Sequence, residues 1–485
     1  MAIGNISIAQ EPVEDASKIP AITNWTPVLP YTVVQTSITD LFFFKFILEI
    51  RIDDASGELL AKIKQRPNGN TTGTTFVRSI FNLRDIINTQ LENTYADQNS
   101  TTNSIHTLGA NLTSKIFSNN SNQLKKIFVK AYQEYSAGAT VSPTENTSEN
   151  ATDDKYYIAA SLPLETPRGT TYFQGTAFQD FQAGGTSKKF LSDVQKSYNE
   201  YIILPKYNNY VQWDDSTNVG DFHTVAFLND VTNFDSDIDI IEIKYYDSSN
   251  SQIGATQQIK NELTKGGANP TSSTTVAQKL LYFGCGPGNL QASTVTPEGG
   301  SSGDARPSNF SNWVYYTVQG KDATATPAAS TDRYYFVKQD TSCKGFKVRR
   351  LAWRNSLGCW DYYNFKMKST QTVDVKRDTF GKVLGEFNSS AYSYNNFDST
   401  QQVRKTDAIL KETLNTDWIA EEDAELLEKC IVSTDVFIIE NADTTYTVPV
   451  LITDKSIARK TNANDGMKIQ YTIKIEYANP LNTNN

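Results

Sequence analysis

The stretch RRLAWRNSLGCWDYYNF, residues 349–365, sets two tryptophans, two tyrosines and a phenylalanine beside three arginines. Its middle, Asn355-Ser356-Leu357-Gly358, is turn chemistry. Lys347 to Arg354 reads as a strand with Arg349, Leu351 and Trp353 on one side and Val348, Arg350 and Ala352 on the other. Cys359 to Met367 reads as the returning strand, with Trp360 and Tyr362 on one face and Tyr363 and Phe365 on the other. A hairpin with aromatic bulk on both sides has to be covered on both sides, by its own domain or by a neighbouring chain.

The same period continues outward. WVYYTVQG, RYYFVKQD and FKVRRLAW follow one another as closely spaced strands of the kind found in sandwiches. Nearer the N-terminus, Leu41–Arg51 and Leu59–Gln65 flank the turn residues Asp53 to Gly57 and predict a hairpin. Thr75–Ile80 predicts another strand, and Asn82 the cap of a short helix with Leu83, Ile86, Ile87 and Leu91 on one face. Ile127, Val129 and Ala131 mark a strand returning to the first sheet, and Lys155–Leu162 resumes the pattern. The tract 97–122 is rich in Asn, Ser and Thr, and the polar tract 137–154 carries too little apolar surface to offset the entropy of ordering it, which predicts an exposed or mobile loop there. Ile238 to Tyr245 predicts a strand apolar on both faces, closed by a turn at Asp247 to Asn250. Near the C-terminus, Asn415 or Thr416 is placed to cap a helix over DWIAEEDAELLEKC that docks on the closing strands VFIIE, YTVPVLIT and KIQYTIKIEYA. In the last of these Ile469, Tyr471, Ile473 and Ile475 alternate with polar residues.

These elements predict a mainly β, multi-domain, β-sandwich-like protein with a few short helices, one of them in the C-terminal domain. The expected domains are 1–165, β-rich with polar insertions; 166–305, β-rich; and 306–485, β-rich with the docking helix.

Composition narrows the chemistry. The chain of 485 residues has a net charge of −9 and scatters its basic residues in small groups, so no footprint for nucleic acid is expected. The longest apolar run, LFFFKFILEI at 41–50, is too short for a bilayer and contains Lys45, so it predicts a buried strand and no membrane span. The opening MAIGNISIAQEPVED has neither the basic nor the apolar region of a secretory signal, which predicts synthesis in a cytoplasm. Four cysteines stand in no compact metal-ligand spacing. His106, expected at the surface, and His223, expected at a strand edge, sit in no nucleophile or metal motif. GCGPGN at 284–289 lacks the Lys-Ser/Thr ending of a phosphate loop and predicts a turn. Asp235, Asp237 and Asp239 imitate the opening of a calcium loop, but Ile240 and Tyr246 occupy the glycine and bidentate-acid positions. Glu421, Glu422, Asp423, Glu425 and Glu428 suit a solvated helix face. No catalytic residue, cofactor or metal is expected.

RLAWRNSLGCWDYYNF, the following KSTQTVDVKRDTFGKVLGEFNSSAYSYNNFD, TLNTDWIAEEDAELLEKCIVS and VPVLITDKSIARKTNANDGMKIQYTIKIEYAN together resemble virion structural proteins of tailed bacteriophages, especially marine ones. FKFILEIR, KIKQRPNG, FNLRDIINTQL and LLYFGCGPGN are similar to the same group. The resemblance implies a tail, baseplate or neck component located in the virion, whose partners are other virion proteins and copies of itself. Assembly into a symmetric ring or hub would then rest on desolvated aromatic and arginine anchors. The candidates are Arg349, Arg350, Trp353, Arg354, Trp360, Tyr362 and Tyr363, for which internal packing is the competing role. The rival functions are an adhesin docking its aromatic rings on host-surface glycans, and a polysaccharide depolymerase, which needs two acids facing across a cleft.

Overall fold

The computed structural model describes residues 5–12, 21–24, 29–36, 41–68, 77–92, 105–107, 116–117, 123–161, 190–194, 209–214, 219–228, 238, 240–261, 280–291, 312–321, 330–339, 346–387, 389–419, 421–440, 446–454 and 470–481. The chain divides into two compact units: Met1–Gln339 with Arg354–Asp361, and Asp340–Trp353 with Tyr362–Asn485. Both are mainly β. Among the described residues no helix is long and apolar enough to cross a membrane.

Among the described residues of the first unit, two cores stand out. In the first, strands β1 (Ala21–Asn24), β2 (Phe42–Ile52), β3 (Leu59–Gln65), β4 (Leu124–Ser136) and β5 (Thr144–Ser161) form a sheet in the order β1-β5-β4-β2-β3, antiparallel except where β1 meets β5. A smaller sheet of Ile6–Gln10, Pro30–Gln35 and Val77–Asn82 packs on it. Tyr31, Val33 and Phe81 meet Phe46, Leu48, Ile50, Ile127 and Val129 in one buried layer, as alternating strands in a sandwich require. The predicted hairpin forms between β2 and β3. Its turn puts Asp53 at φ +63°, and Asp54 Oδ1 accepts from Ser56 N–H at 2.7 Å and Ser56 O–H at 2.6 Å. The short helix α1 (Arg84–Asn88) begins one residue later than expected, with Leu83 at the cap. Asn82 Oδ1 nevertheless accepts from the N–H of Arg84 and of Leu29.

The tract 137–154 corrects the sequence reading, because the chain from Thr144 onward is the long strand β5 and not a loop. The side chains of its first half stay in water, but its main chain pairs with β4, which the core already holds in place. Lys62 and Lys64 reach Glu145 at 2.7 and 2.9 Å, and Gln133 donates to Glu149 at 3.0 Å. Most of tract 97–122 lies outside the described residues, although Ile116–Phe117 pairs with Tyr282 and Phe283.

Around the second core, β6 (Asn209–Val211), β7 (Ile240–Tyr246), β8 (Gln252–Lys260), β9 (Tyr315–Lys321) and β10 (Tyr334–Lys338) run in the order β6-β10-β9-β7-β8. They face a sheet of Thr224–Leu228, Leu280–Gly284 and Ile116–Phe117. Val225, Phe227, Ile241, Ile243, Phe283, Tyr316 and Phe336 fill the space between. Here the expected boundary at 305 is corrected. β9 pairs along the whole of β7, from Ile240 opposite Lys321 to Tyr246 opposite Tyr315, so β9 and β10 belong to the middle sheet and the division falls after Gln339. Close spacing in sequence did not make these strands neighbours of the strand Arg349–Arg354. The expected boundary at 165, like Asp235, Asp237, Asp239 and Ile469, lies outside the described residues.

The second unit is built on one seven-stranded sheet of β11 (Arg349–Arg354), β12 (Trp360–Phe365), β13 (Thr370–Gly381), β14 (Gln401–Asn415), β15 (Val436–Glu440), β16 (Tyr446–Ile452) and β17 (Thr472–Tyr477), ordered β12-β11-β15-β16-β17-β14-β13. Its two edge strands, β12 and β13, follow each other in the chain with only residues 366–369 between them. A link that short obliges the sheet to curl until its edges approach at this end. Asn415 Nδ2 donating to the Lys368 carbonyl and Lys366 pairing with Asp417 mark the place. The helix α2 (Glu421–Val432) lays Ala424, Leu427 and Cys430 against Trp353, Ile438, Val450, Ile473 and Ile475. The docking is as expected, whereas the start is corrected. Asn415 still belongs to β14, and Thr416 exchanges hydrogen bonds with Tyr471, donating its N–H and accepting on Oγ1, which takes both residues away from a capping role.

In the turn after β11, Gly358 has φ +80°, and a Cβ there would stand 2.6 Å from the Ala159 carbonyl oxygen. Gly358→Ala should therefore cost about 1–3 kcal/mol through strain and clash. Gly381→Ala, where a Cβ would meet nothing within 4 Å, should stay within about 0.5 kcal/mol of the parent. Urea unfolding of the two variants checks the contrast.

Candidate assembly surface

The seven residues singled out in the sequence turn inward. Trp353 is fully buried beside Leu351, Tyr363, Phe365 and Leu427, with Tyr363 meeting Phe365 edge-on at 5.0 Å. Arg350 donates to Asn364 Oδ1 at 2.8 Å and lies 4.9 Å over the ring of Tyr362. Arg349 donates Nε–H to Glu412 at 2.8 Å. Trp360 packs edge-on against His106 at 4.7 Å, so His106 is buried and not at the surface as expected. Arg354, half-buried, donates to the Ala159 carbonyl. The reading of these side chains as outward anchors is thus corrected: the chain itself covers both faces of the hairpin.

The turn joining β11 to β12 is tied as firmly. Asn355 Oδ1 accepts from Leu357 and Cys359 N–H, and its Nδ2 donates to the Leu191 carbonyl at 3.0 Å. Asp361 accepts from Ser192 O–H and Asp193 N–H, and Gln123 donates to the Gly358 carbonyl. Burial pushes the Cys359 thiol up to about 12, which keeps it protonated and unreactive at neutral pH. GCGPGN is a turn, as expected: a Cβ on Gly286 would lie 2.5 Å from Asp221 O and His223 N. His223 is buried, its ring edge-on to Phe336 at 4.9 Å. Among the described residues no group of three or more His, Cys, Asp and Glu side chains stands together as a metal site.

The exposed feature is elsewhere. β17 pairs with β14 only from Lys411 to Asn415, whereas β13 pairs with β14 along its whole length, from Thr370 opposite Thr413 to Gly381 opposite Gln401. The outer part of β13 and β14 is therefore a two-stranded arm, and every side chain of β13 is exposed. On one face Val373 and Val375 stand opposite Leu410 and Ala408. The other face is laced with charge, Asp374 bridging Lys411 at 2.5 Å and Lys405 bridging Asp407 at 2.8 Å. Beyond Gly381 the tip folds back through the small strand pair Glu386–Phe387 and Tyr392–Ser393. Gly385 serves there because its φ is +71° and a Cβ would lie 2.3 Å from Ser393 O. Val383, Phe387 and Phe397 are 80%, 75% and 85% exposed, with Tyr392 and Tyr394 beside them. A two-stranded ribbon is marginal alone in water, and clustered exposed apolar side chains mark an interaction surface.

What holds the arm is its root. Glu412 is buried in β14 and accepts from Arg349 Nε–H, from Gln371 Nε2–H at 3.0 Å and from Tyr477 O–H at 3.0 Å. Burial alone would raise its carboxyl, but hydrogen bonds from Gln371, Arg349 and Ser369 and the Arg349 charge outweigh burial and hold it below the usual glutamate range. The sequence carried a signal for the arm in the alternation of TQTVDVKRDTFG, but alternation alone does not say that neither face will be covered.

Glu412→Ala strips the buried Arg349 of this counter-charge and should cost about 3 kcal/mol, seen as a lowered urea midpoint and faster proteolytic cutting within the arm. Because the folded carboxyl titrates below the unfolded one, its contribution is complete above about pH 4.3 and fades as the pH falls through the folded value. The stability gap between wild type and Glu412→Gln should accordingly narrow as the pH is lowered below about 4. No protein-family model and no curated protein matches this chain.

Proposed function

We propose that this chain is a structural building block of a tailed-bacteriophage virion, a tail, baseplate or neck component that works by assembling with other virion proteins and with copies of itself. The observation that carries the reading is the arm: a ribbon exposed on both faces, ending in bare aromatic side chains, which another chain must cover if its apolar surface is to leave water. The resemblance of KSTQTVDVKRDTFGKVLGEFNSSAYSYNNFD, the arm's own sequence, to virion proteins supports the same placement. The body supplies rigid sheets, the arm supplies reach, and the chain turns over no substrate and takes no cofactor. The desolvated anchors expected of an assembly protein are then Val383, Phe387 and Phe397 at the tip.

A second reading draws on the tip alone. Tyr392 and Tyr394, with ring centroids 6.5 Å apart and planes tilted by 42°, offer faces on which sugar rings could stack, as an adhesin for host-surface glycans would need.

Replacing Lys382–Thr400 by an Asn-Gly turn should leave the thermal midpoint nearly unchanged, because the described side chains of the tip are exposed or only half-buried, yet the shortened chain should be lost from assembled particles. Density for the wild-type chain in a ring of an intact tail, and its absence with the shortened variant, is the expected result. Glycan-array binding that disappears with Tyr392→Ala and Tyr394→Ala would favour the adhesin, and release of reducing sugar from host envelopes would overturn both.

A further inference from the structure

We propose that the open edge of β13 pairs antiparallel with the same strand of a second copy of this chain, in a two-fold arrangement centred on Val375. The inference rests on the assembly reading and names the partner of the arm. Among the described residues β13 is the last strand of its sheet, with β14 on its inner side. Its outer side is therefore a row of main-chain donors and acceptors.

Which groups face outward follows from β14. The carbonyl of Ala408 accepts from the N–H of Leu481 at 2.9 Å. Leu481 follows β17, which lies on the flank of β14 opposite β13. The carbonyl of Ala408 thus turns away from β13, and its pair with Val375 is a non-hydrogen-bonded pair of the ladder. By the alternation of antiparallel strands, Val373, Val375 and Arg377 then direct their N–H and C=O groups to the open edge. A bulge lies in the inner ladder, where Arg404 is the extra residue of β14 between Lys405 opposite Asp378 and Val403 opposite Thr379, and it sharpens the twist of the ribbon beyond this stretch.

Two copies of one strand, paired antiparallel about a two-fold axis normal to the sheet, must set one residue opposite itself, because opposed side chains share a face. The charges favour one residue, because only centring on Val375 sets opposite charges face to face without also opposing a like pair. Centred on Asp374, that carboxylate faces itself. Centred on Lys376, the ammonium faces itself and Asp374 faces Asp378. Centred on Arg377, the guanidinium faces itself. Centred on Val375, the valines meet, Asp374 faces Lys376 of the second copy on both sides of the axis, and Val373 meets the aliphatic stem of Arg377. In that arrangement the outward main-chain groups of Val373, Val375 and Arg377 exchange hydrogen bonds. The Asp374 and Lys376 pairs fall at non-hydrogen-bonded positions, where side chains approach most closely. Asp374 already bridges Lys411, and a carboxylate has a second oxygen for a second cation. The strand sets Asp374 and Asp378 against Lys376 and Arg377 within a chain of net charge −9, so the edge is a place where two copies meet without net repulsion.

The test uses the full chain in sedimentation velocity. Asp374→Lys and Lys376→Asp should each weaken self-association at least about tenfold, and the double variant Asp374→Lys with Lys376→Asp should recover most of the loss, since the reversed charges again face each other across the axis. With Val375→Cys, a short bismaleimide should link two copies more efficiently than with Gln371→Cys or Thr379→Cys. A wild-type chain that stays monomeric, a double variant no better than either single one, or strongest linking away from residue 375 would overturn the pairing. The assembly reading is judged separately: uptake into particles that survives Asp374→Lys but is lost on shortening the tip retains that reading and assigns β13 a different partner strand.

Discussion

Main-chain hydrogen bonding is the constraint on which the rest of this structure depends. A strand needs a ladder on at least one side, and once that ladder exists the side chains decide only which faces are wet. β5 shows it in the first unit, where Thr144 to Asp154 is nearly all polar and yet follows β4 because β4 is already fixed by Ile127, Val129 and Ala131 in the core. The arm shows it in the second, where β13 buries no side chain at all and, among the described residues, pairs with β14 only. Each such bond contributes only about 0.5–1.5 kcal/mol net, so a ribbon of this kind is fastened at its root and not along its length. Glu412 is that fastening, joined by Arg349 from β11, Gln371 from β13 and Tyr477 from β17. Arg349 and Glu412 lie on strands separated by β15, β16 and β17 in the sheet order. Their meeting at 2.8 Å is therefore a consequence of the curl that the short link from β12 to β13 imposes.

Where side-chain period reported on burial, the sequence was legible. Ile473 and Ile475 in β17 and Ile241 and Ile243 in β7 all lie in cores, as their spacing indicated. The turn at Asp53 to Gly57 was readable because only a few residue types tolerate its backbone. The failures share one cause. Composition and period are local, whereas the partner of a strand is a property of the whole fold. β9 lies close in sequence to β11 yet pairs with β7, and the tract at 137–154 was judged by what it could bury instead of by what it could pair with. Thr416 has the chemistry of a helix cap but spends its hydroxyl on Tyr471 across the sheet.

The candidate site was mislocated for a related reason. Aromatic and arginine residues are what interfaces use, but they are also what buried hairpins use, and sequence does not distinguish the two. Arg350 illustrates the outcome. Its guanidinium is buried, which is tolerable because Asn364 accepts its hydrogen bond and the Tyr362 ring lies under the charge. Such an arrangement fixes the hairpin internally and leaves nothing to offer a partner. The bare side chains belong instead to a segment whose mixture of Asn, Ser, Tyr and Phe resembles ordinary loop sequence, from Glu386 to Asp398.

An exposed edge strand is a hazard as well as an opportunity, and β13 carries the features that limit it. Asp374, Lys376, Arg377 and Asp378 set charges along the edge, so an arbitrary strand brought alongside would bury like charges against one another in most registers. The bulge at Arg404 of β14, between the partners of Asp378 and Thr379, twists the template before it reaches the tip. What remains is a short stretch around Val375 that accepts pairing in few registers, on an arm too thin to be stable through packing of its own. A two-fold contact of that kind joins one pair of copies, so it adds to the contacts that would close a ring and does not itself run around one. On the proposed reading, the arm supplies a weak, selective contact that links copies reversibly in solution and is reinforced once other neighbours are in place.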